Sequence, residues 1–262
     1  YRALGFEAPA FAHIPLILGT DRARLSKRHG ATSVMAYRDM GYLADGLVNY
    51  LARLGWSCGD QEIFTRAELI EKFGLENVGA AAGIYNPEKA EWVNASHIKA
   101  MTPAALADAL VPFIAAAGFA VPARREDIET LAGLLRERAS TLVEMVDGAR
   151  FFLTDDIRID PAAAAKHLDA GIHPALTALR DRLADLAEWN EESVHAGFVA
   201  VTETFSLKLG KLAQPVRVAV TGGTASPGIF EVLVLLGRER SLARLDAALQ
   251  GIETRARVGG QT

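Results

Sequence analysis

Val216-Arg217-Val218-Ala219-Val220 is the stretch whose reading decides whether the second half of this 262-residue chain is all-helical. Its valines recur with a period of two, and read alone the five residues predict a β-strand. The surrounding sequence has helical spacing instead. Leu176, Leu179, Leu183 and Leu186 form one apolar stripe, and Val194, Phe198, Val201 and Phe205 a second. Leu242, Leu245 and Leu249 form a third, while Ile128, Leu131, Leu135 and Leu142 form another upstream. Four stripes with short connections predict a helical bundle or superhelix, so the valine run conflicts with its context.

The first half has the same punctuation. Leu43, Leu47, Tyr50, Leu51 and Leu54 lie at helical spacing, and the pattern stops at Gly55. Thr65 and Glu68 make a capping-box pattern ahead of Leu69, Ile70 and Phe73. Asn86-Pro87 and Thr102-Pro103 each set a cap residue before a first-turn proline, and Leu106, Leu110 and Phe113 define the face that follows. Composition breaks at Thr102-Pro103 and around Thr154-Asp155-Asp156 are candidate domain boundaries. The tail from Arg255 onward, with Gly259-Gly260, is expected to be disordered.

Half of the residues are apolar, enough for two compact domains or three small ones. No apolar run reaches membrane-spanning length and no signal peptide is evident, which predicts a cytoplasmic protein. Cys58 is the only cysteine, so no intramolecular disulfide or multi-thiolate metal site can form. The six histidines lack metal-ligand spacing beside a carboxylate, and no structural zinc is expected. A net charge of -4 argues against sequence-independent coating of nucleic acid, though not against local basic patches that recognise one RNA.

Against this acidic background one loop is strongly basic: Asp21-Arg22-Ala23-Arg24-Leu25-Ser26-Lys27-Arg28-His29-Gly30. Closely spaced cations around a small hydroxyl, closed by glycine, have the composition of a phosphate-gripping loop. A solvated surface loop would have the same composition. Arg24-Leu25-Ser26-Lys27-Arg28 resembles the Lys-Met-Ser-Lys-Ser signature of class I aminoacyl-tRNA synthetases, and Leu-Ser-Lys-Arg-His-Gly after Pro-Leu-Ile-Leu-Gly resembles the glutamyl-tRNA synthetases of bacterial type. Asn49-Tyr50-Leu51-Ala52-Arg53-Leu54-Gly55-Trp56, Asn86-Pro87-Glu88-Lys89, Gln214-Pro215-Val216-Arg217 and Ser226-Pro227-Gly228-Ile229-Phe230-Glu231 extend that similarity along nearly the whole chain.

The resemblance implies a mainly α architecture. Residues 1–101 would be the remnant of a class I catalytic domain with its signature loop and a helical stem-contact region, and 102–153 and 154–262 two all-helical anticodon-binding domains. It also implies that the valine run is helical. The activity implied is glutamate–tRNA ligation: glutamate and ATP, with Mg2+, give glutamyl-adenylate, and the terminal ribose of tRNA-Glu takes the glutamyl group. No His-Ile-Gly-His signature occurs, so the chain is expected to be a C-terminal part, inactive alone and monomeric.

By resemblance Lys27 would be the catalytic phosphate-holding residue, with Arg24, Leu25, Ser26 and Arg28 completing the ATP loop. Arg24 stands where the family has lysine. The anticodon-contacting residues would be Arg138, Gln214, Arg217, Ser226, Pro227, Ile229 and Phe230. An arginine at position 138 is associated with rejection of tRNA-Gln through the last anticodon base. Lys208 and Lys211 are further phosphate candidates, and Lys72, Lys89 and Lys99 lie in the stem-contact region. Two other readings stay open: a stand-alone tRNA-binding module, and a paralogue that charges tRNA-Gln with glutamate.

Overall fold

The computed structural model describes residues 1–26 and 33–259. Among these there are fourteen α-helices and no sheet, only isolated β-bridges. The chain divides into two compact units, Tyr1–Met101 with Ser140–Val143, and Thr102–Ala139 with Glu144–Thr262.

The first unit holds α1 (Val34–Asp39), α2 (Ala44–Arg53), α3 (Arg66–Lys72) and α4 (Pro87–Ala100). Three of the four start at a side-chain cap: Ser33, Thr65 and Asn86. Glu68 N–H donates to Thr65 Oγ1 at 3.2 Å and Thr65 N–H to Glu68 Oε2 at 2.8 Å, which closes the capping box of α3. Asn86 Oδ1 accepts from Lys89 N–H at 3.1 Å ahead of α4, with Pro87 in the first turn. α2 and α4 pack on each other, and Leu47, Tyr50, Tyr85 and Val93 join Tyr37 and Tyr42 in the core. Leu51, counted with the apolar face of α2, is instead exposed. Gly41 closes this unit: its φ is 86°, and a Cβ there would lie 2.6 Å from Val143 N, so only glycine admits the approach that lets Leu142 N–H reach Gly41 O at 2.9 Å.

Asn49, fully buried, satisfies the irregular segment before α3. Its Nδ2 donates to Glu62 O at 2.9 Å and its Oδ1 accepts from Phe64 N–H at 2.8 Å. Glu62 in turn takes a fork from Arg53, Nε and Nη2 each at 3.0 Å, and an ion pair from Lys89 at 3.0 Å. The Arg53 guanidinium, then Lys89, holds the Glu62 carboxyl down to about 2. A depressed carboxyl stabilises the folded state above the ordinary value of 4.5, and that contribution drains away as pH falls toward 2. Glu62→Gln is therefore expected to cost about 1–2 kcal/mol at pH 7, discounted for partial exposure, and about a quarter of that at pH 2.5, where the carboxyl of the folded parent is still mostly ionised. Urea denaturation of the variant and parent at both pH values reads the difference.

The second unit contains α5 (Pro103–Ala116), α6 (Arg125–Leu135), α8 (Arg150–Leu153), α9 (Pro161–His167), α10 (His173–Ala184), α11 (Glu191–Thr204), α12 (Leu209–Thr221), α13 (Ile229–Leu236) and α14 (Arg238–Gly259). Between α6 and α8, α7 (Leu142–Gly148) crosses the limit of the two units, so the stripe reckoned through Leu142 is broken: Leu135 ends one helix and Leu142 opens another. The valine run lies inside α12. That helix packs on α8, α9, α10, α11, α13 and α14, and Leu212, Pro215, Val216, Val218, Ala219 and Val220 are all buried. Lys211, Gln214, Arg217 and Thr221 keep one side of α12 polar, but residues 216–220 include only Arg217 from that side, so the 3.6-residue period does not show within the run. Valine's weak helix propensity is overridden by that packing, so the strand pattern gives way to the helix the resemblance implies.

Two arginines pin α14 in place. Arg180 on α10 grips Asp246 with Nε at 2.7 Å and Nη2 at 3.0 Å. Buried Arg244 donates through Nη1 to Phe151 O at 2.6 Å and Val220 O at 2.7 Å, and through Nη2 to Thr154 O at 2.7 Å. The expected disorder from Arg255 onward is corrected as far as Gly259: α14 runs to that residue, with Ile252 buried and Arg255 Nη2 donating to Leu168 O at 2.9 Å, and 260–262 lie outside the described residues. No helix among the described residues is long and apolar enough to cross a membrane.

Candidate nucleic-acid interface

Arg217, half-buried on α12, is held on two of its three nitrogens. Nε donates to Ser226 Oγ at 2.8 Å and Nη1 to Gln214 Oε1 at 2.6 Å. Ser226 Oγ–H donates onward to Pro227 O at 2.9 Å, and Gln214 Nε2 to Thr224 O at 2.9 Å. The relay begins and ends on carbonyls of the loop between α12 and α13, so loop and guanidinium fix one another. Nη2 has no partner among the described residues.

No carboxylate among the described residues pairs with Arg217 or with exposed Arg138, although the two are close enough for their charges to repel. Burial first, and then Arg138, lowers the Arg217 pKa. Two cations drawn together without a counter-charge form a local positive site that an acceptor-rich ligand would relieve. Lys211 lies exposed one turn before Gln214 on the same helix, with Lys208 exposed at its N-cap.

The other expected contacts lie deeper. Pro227 and Ile229 are buried, the latter 5 % exposed. Phe230 is half-buried and meets Phe198 edge to face at 5.2 Å and His195 at 4.8 Å. Sequence reasoning had no means of finding Thr224, which takes part through its carbonyl alone.

In the first unit the basic loop is anchored at its start. Leu25 N–H donates to Ile17 O at 2.9 Å and Gly19 N–H to Ala23 O at 2.8 Å, a short turn through Arg22 at φ 59° that Asp21 Oδ1 steadies by accepting from Ala23 N–H at 2.9 Å. Leu25 packs against the tyrosine core while Arg24 is exposed and Ser26 half-buried. Lys27 and Arg28 lie outside the described residues. Lys72 and Lys89 are engaged within the unit, by Gln61 at 2.9 Å and Glu62 at 3.0 Å. No group of three or more metal-ligating side chains occurs among the described residues.

Residues 105–249 match the family model described as anticodon binding domain, and residues 1–92 match that of the catalytic domain of class I tRNA synthetases (E and Q). A helical unit with an exposed arginine site, joined to a segment of that catalytic domain, is the architecture of a class I tRNA synthetase. Among similar proteins, the glutamate–tRNA ligase of Syntrophobacter fumaroxidans is 52 % identical over 257 residues, 98 % of this chain and 54 % of that protein. That of Geobacter sulfurreducens is 49 % identical over 253 residues, 97 % of this chain and 54 % of that protein. The crystal structure of a glutamate tRNA ligase from Elizabethkingia meningosepticum in complex with its amino acid superposes with a TM-score of 0.83 at 26 % identity, covering 96 % of this chain and 53 % of that one. The chain belongs to the glutamate–tRNA ligase family. It spans about half the length of the relatives it matches.

Proposed function

We propose that the whole protein is a glutamate–tRNA ligase, and that this part of it supplies the anticodon reader and the closing segment of the ATP loop. The carrying observation is the Arg217 site, a guanidinium locked in position beside Arg138 with one edge unpaired and no acidic partner. Such a rigid fork suits the acceptor-rich edge of an unstacked anticodon base, and Arg138 adds charge or a second fork. Gln214 and Ser226 hold that fork, while Pro227, Ile229 and Phe230 set the shape of the loop and the start of α13 beneath it. The functional division proposed is 1–101 for the catalytic remnant and stem contact, then 102–153 and 154–262 for anticodon reading.

For the ATP loop, Lys27 is the residue proposed to stabilise charge on the departing pyrophosphate, flanked by Arg24, Leu25, Ser26 and Arg28. The anchored turn at Gly19–Leu25 supports this by presenting Arg24 and Ser26 next to the segment that carries Lys27. ATP with Mg2+, glutamate and tRNA-Glu are the proposed substrates of the whole protein.

Arg138 is assigned the last anticodon base, which separates the glutamate from the glutamine tRNA. Arg138→Gln in the whole ligase is expected to narrow the ratio of kcat/KM for tRNA-Glu over tRNA-Gln by about tenfold or more, one forked contact being worth about 1–3 kcal/mol. Glutamylation of both tRNAs by the variant measures this, and an unchanged ratio refutes the assignment.

A further inference from the structure

A cavity of about 710 Å³ in the helical unit is used by nothing described above. It lies between Phe119, the α7–α8 junction at Asp147–Arg150, the strand-like segment Thr154–Arg158, and the end of α12 at Thr221–Gly223. Its walls are fixed before any ligand arrives. Arg244 and Arg240 hold Thr154 O at 2.7 and 3.1 Å. Asp160 N–H donates to Gly222 O at 2.8 Å, and Gly222, at φ 84°, sits so close to Arg158 O that a Cβ would collide with it. The rim residues Asp147, Arg150, Asp156, Arg158 and Ala225 are exposed, so the cavity opens to solvent.

Its chemistry is mixed rather than anionic or cationic. Arg150 lies over the Phe119 ring at 5.4 Å, both residues line the cavity, and Asp147 faces the guanidinium at 3.7 Å. Arg158 has no partner for its side chain among the described residues, and Asp156 stands two positions before it. Two cations and two carboxylates disfavour a bare phosphate; a flat, uncharged heterocycle with donors and acceptors on its edge, carried on a phosphate that Arg158 can reach, fits better. Thr221 is one turn beyond Arg217 on the same helix, about 6 Å along the axis, within the span of one nucleotide.

We propose that this cavity takes one further unstacked nucleotide of the RNA loop read at Arg217, with Arg150 on Phe119 as the stacking platform and Arg158 as the phosphate contact. The proposal rests on the anticodon-reading function. The experiment titrates the 262-residue chain with a tRNA-Glu anticodon hairpin, unmodified and with an abasic nucleotide at each loop position in turn, for the parent, Arg150→Ala, Arg150→Lys, Arg158→Ala and Arg217→Ala. One position outside the anticodon triplet is expected to lose about tenfold or more in affinity when abasic in the parent, and to lose little further in Arg150→Ala or Arg150→Lys, since lysine restores charge without the flat face. Arg158→Ala, at an exposed side chain that holds nothing in the fold, is expected to weaken binding by a similar factor at every loop sequence and to reduce the salt dependence. If Arg217→Ala weakens the hairpin while the Arg150 and abasic effects multiply independently at every position, or Arg158→Ala changes nothing, the cavity proposal is overturned and anticodon reading stands. If the parent binds no hairpin, or Arg217→Ala binds as well as the parent, anticodon reading fails and the cavity proposal falls with it.

Discussion

Arg244→Met is expected to destabilise the helical unit by about 3 kcal/mol. The side chain is 7 % exposed and donates three hydrogen bonds to main-chain carbonyls, those of Phe151, Thr154 and Val220. These carbonyls lie at the C-terminal ends of α8 and α12, where the helix leaves them unsatisfied and the aligned peptide dipoles make them negative. Burial, ahead of repulsion from Arg240, pushes the Arg244 pKa down to about 10, so the guanidinium stays charged at neutral pH. Keeping it charged and buried has a cost, which is why the expected loss is below the sum of three charge-assisted bonds at about 1.5–3 kcal/mol each. Methionine keeps most of the volume and supplies no donor, so the Phe151 and Val220 oxygens are stranded and Thr154 O keeps only its bond from Arg240. Urea and thermal denaturation should show the midpoint fall, by about 6–12 °C for a domain of this size, with the urea slope unchanged. A loss under about 0.5 kcal/mol would mean that water replaces the arginine and that it is no staple.

Arg217→Ala is expected to weaken binding of a tRNA-Glu anticodon hairpin by about 10- to 100-fold, the value of one forked base contact of about 1–3 kcal/mol. Its fold should survive. Arg217 is half-buried, its neighbours in the relay are a serine and a glutamine that can turn to water, and its own charge is disfavoured where it sits. Arg217→Lys separates geometry from charge: the ammonium keeps the positive field and loses the fork, so most of the affinity should be lost as well. Ser226 and Gln214 act on the RNA through Arg217, and replacing either is expected to cost less than replacing Arg217 itself.

The helical architecture was legible because most helices carry polar starts and one-sided apolar stripes. Thr65 with Glu68, Asn86 and Thr102 each cap the helix expected of them. One misleading local pattern lies in the buried part of α12: Val216, Val218 and Val220 report that residues are inside without reporting which backbone put them there. The tail was misread for a related reason, since the contact that orders it, Arg255 to Leu168 O, joins residues 87 apart. The residues of the site were legible only through family resemblance. What holds them could not be read from the chain, because the partners of Gln214, Ser226 and Arg244 are carbonyl oxygens, and every residue has one.

The most direct test of the account is equilibrium binding of the 262-residue chain and its Arg217→Ala variant, at one fixed salt, to a tRNA-Glu anticodon hairpin and to the same hairpin with all three anticodon bases replaced. The parent chain is expected to prefer the native anticodon by tenfold or more, and Arg217→Ala to keep only the smaller part of that preference that Arg138 supplies. Equal binding of both hairpins by the parent chain, or an undiminished preference in the variant, would contradict the account.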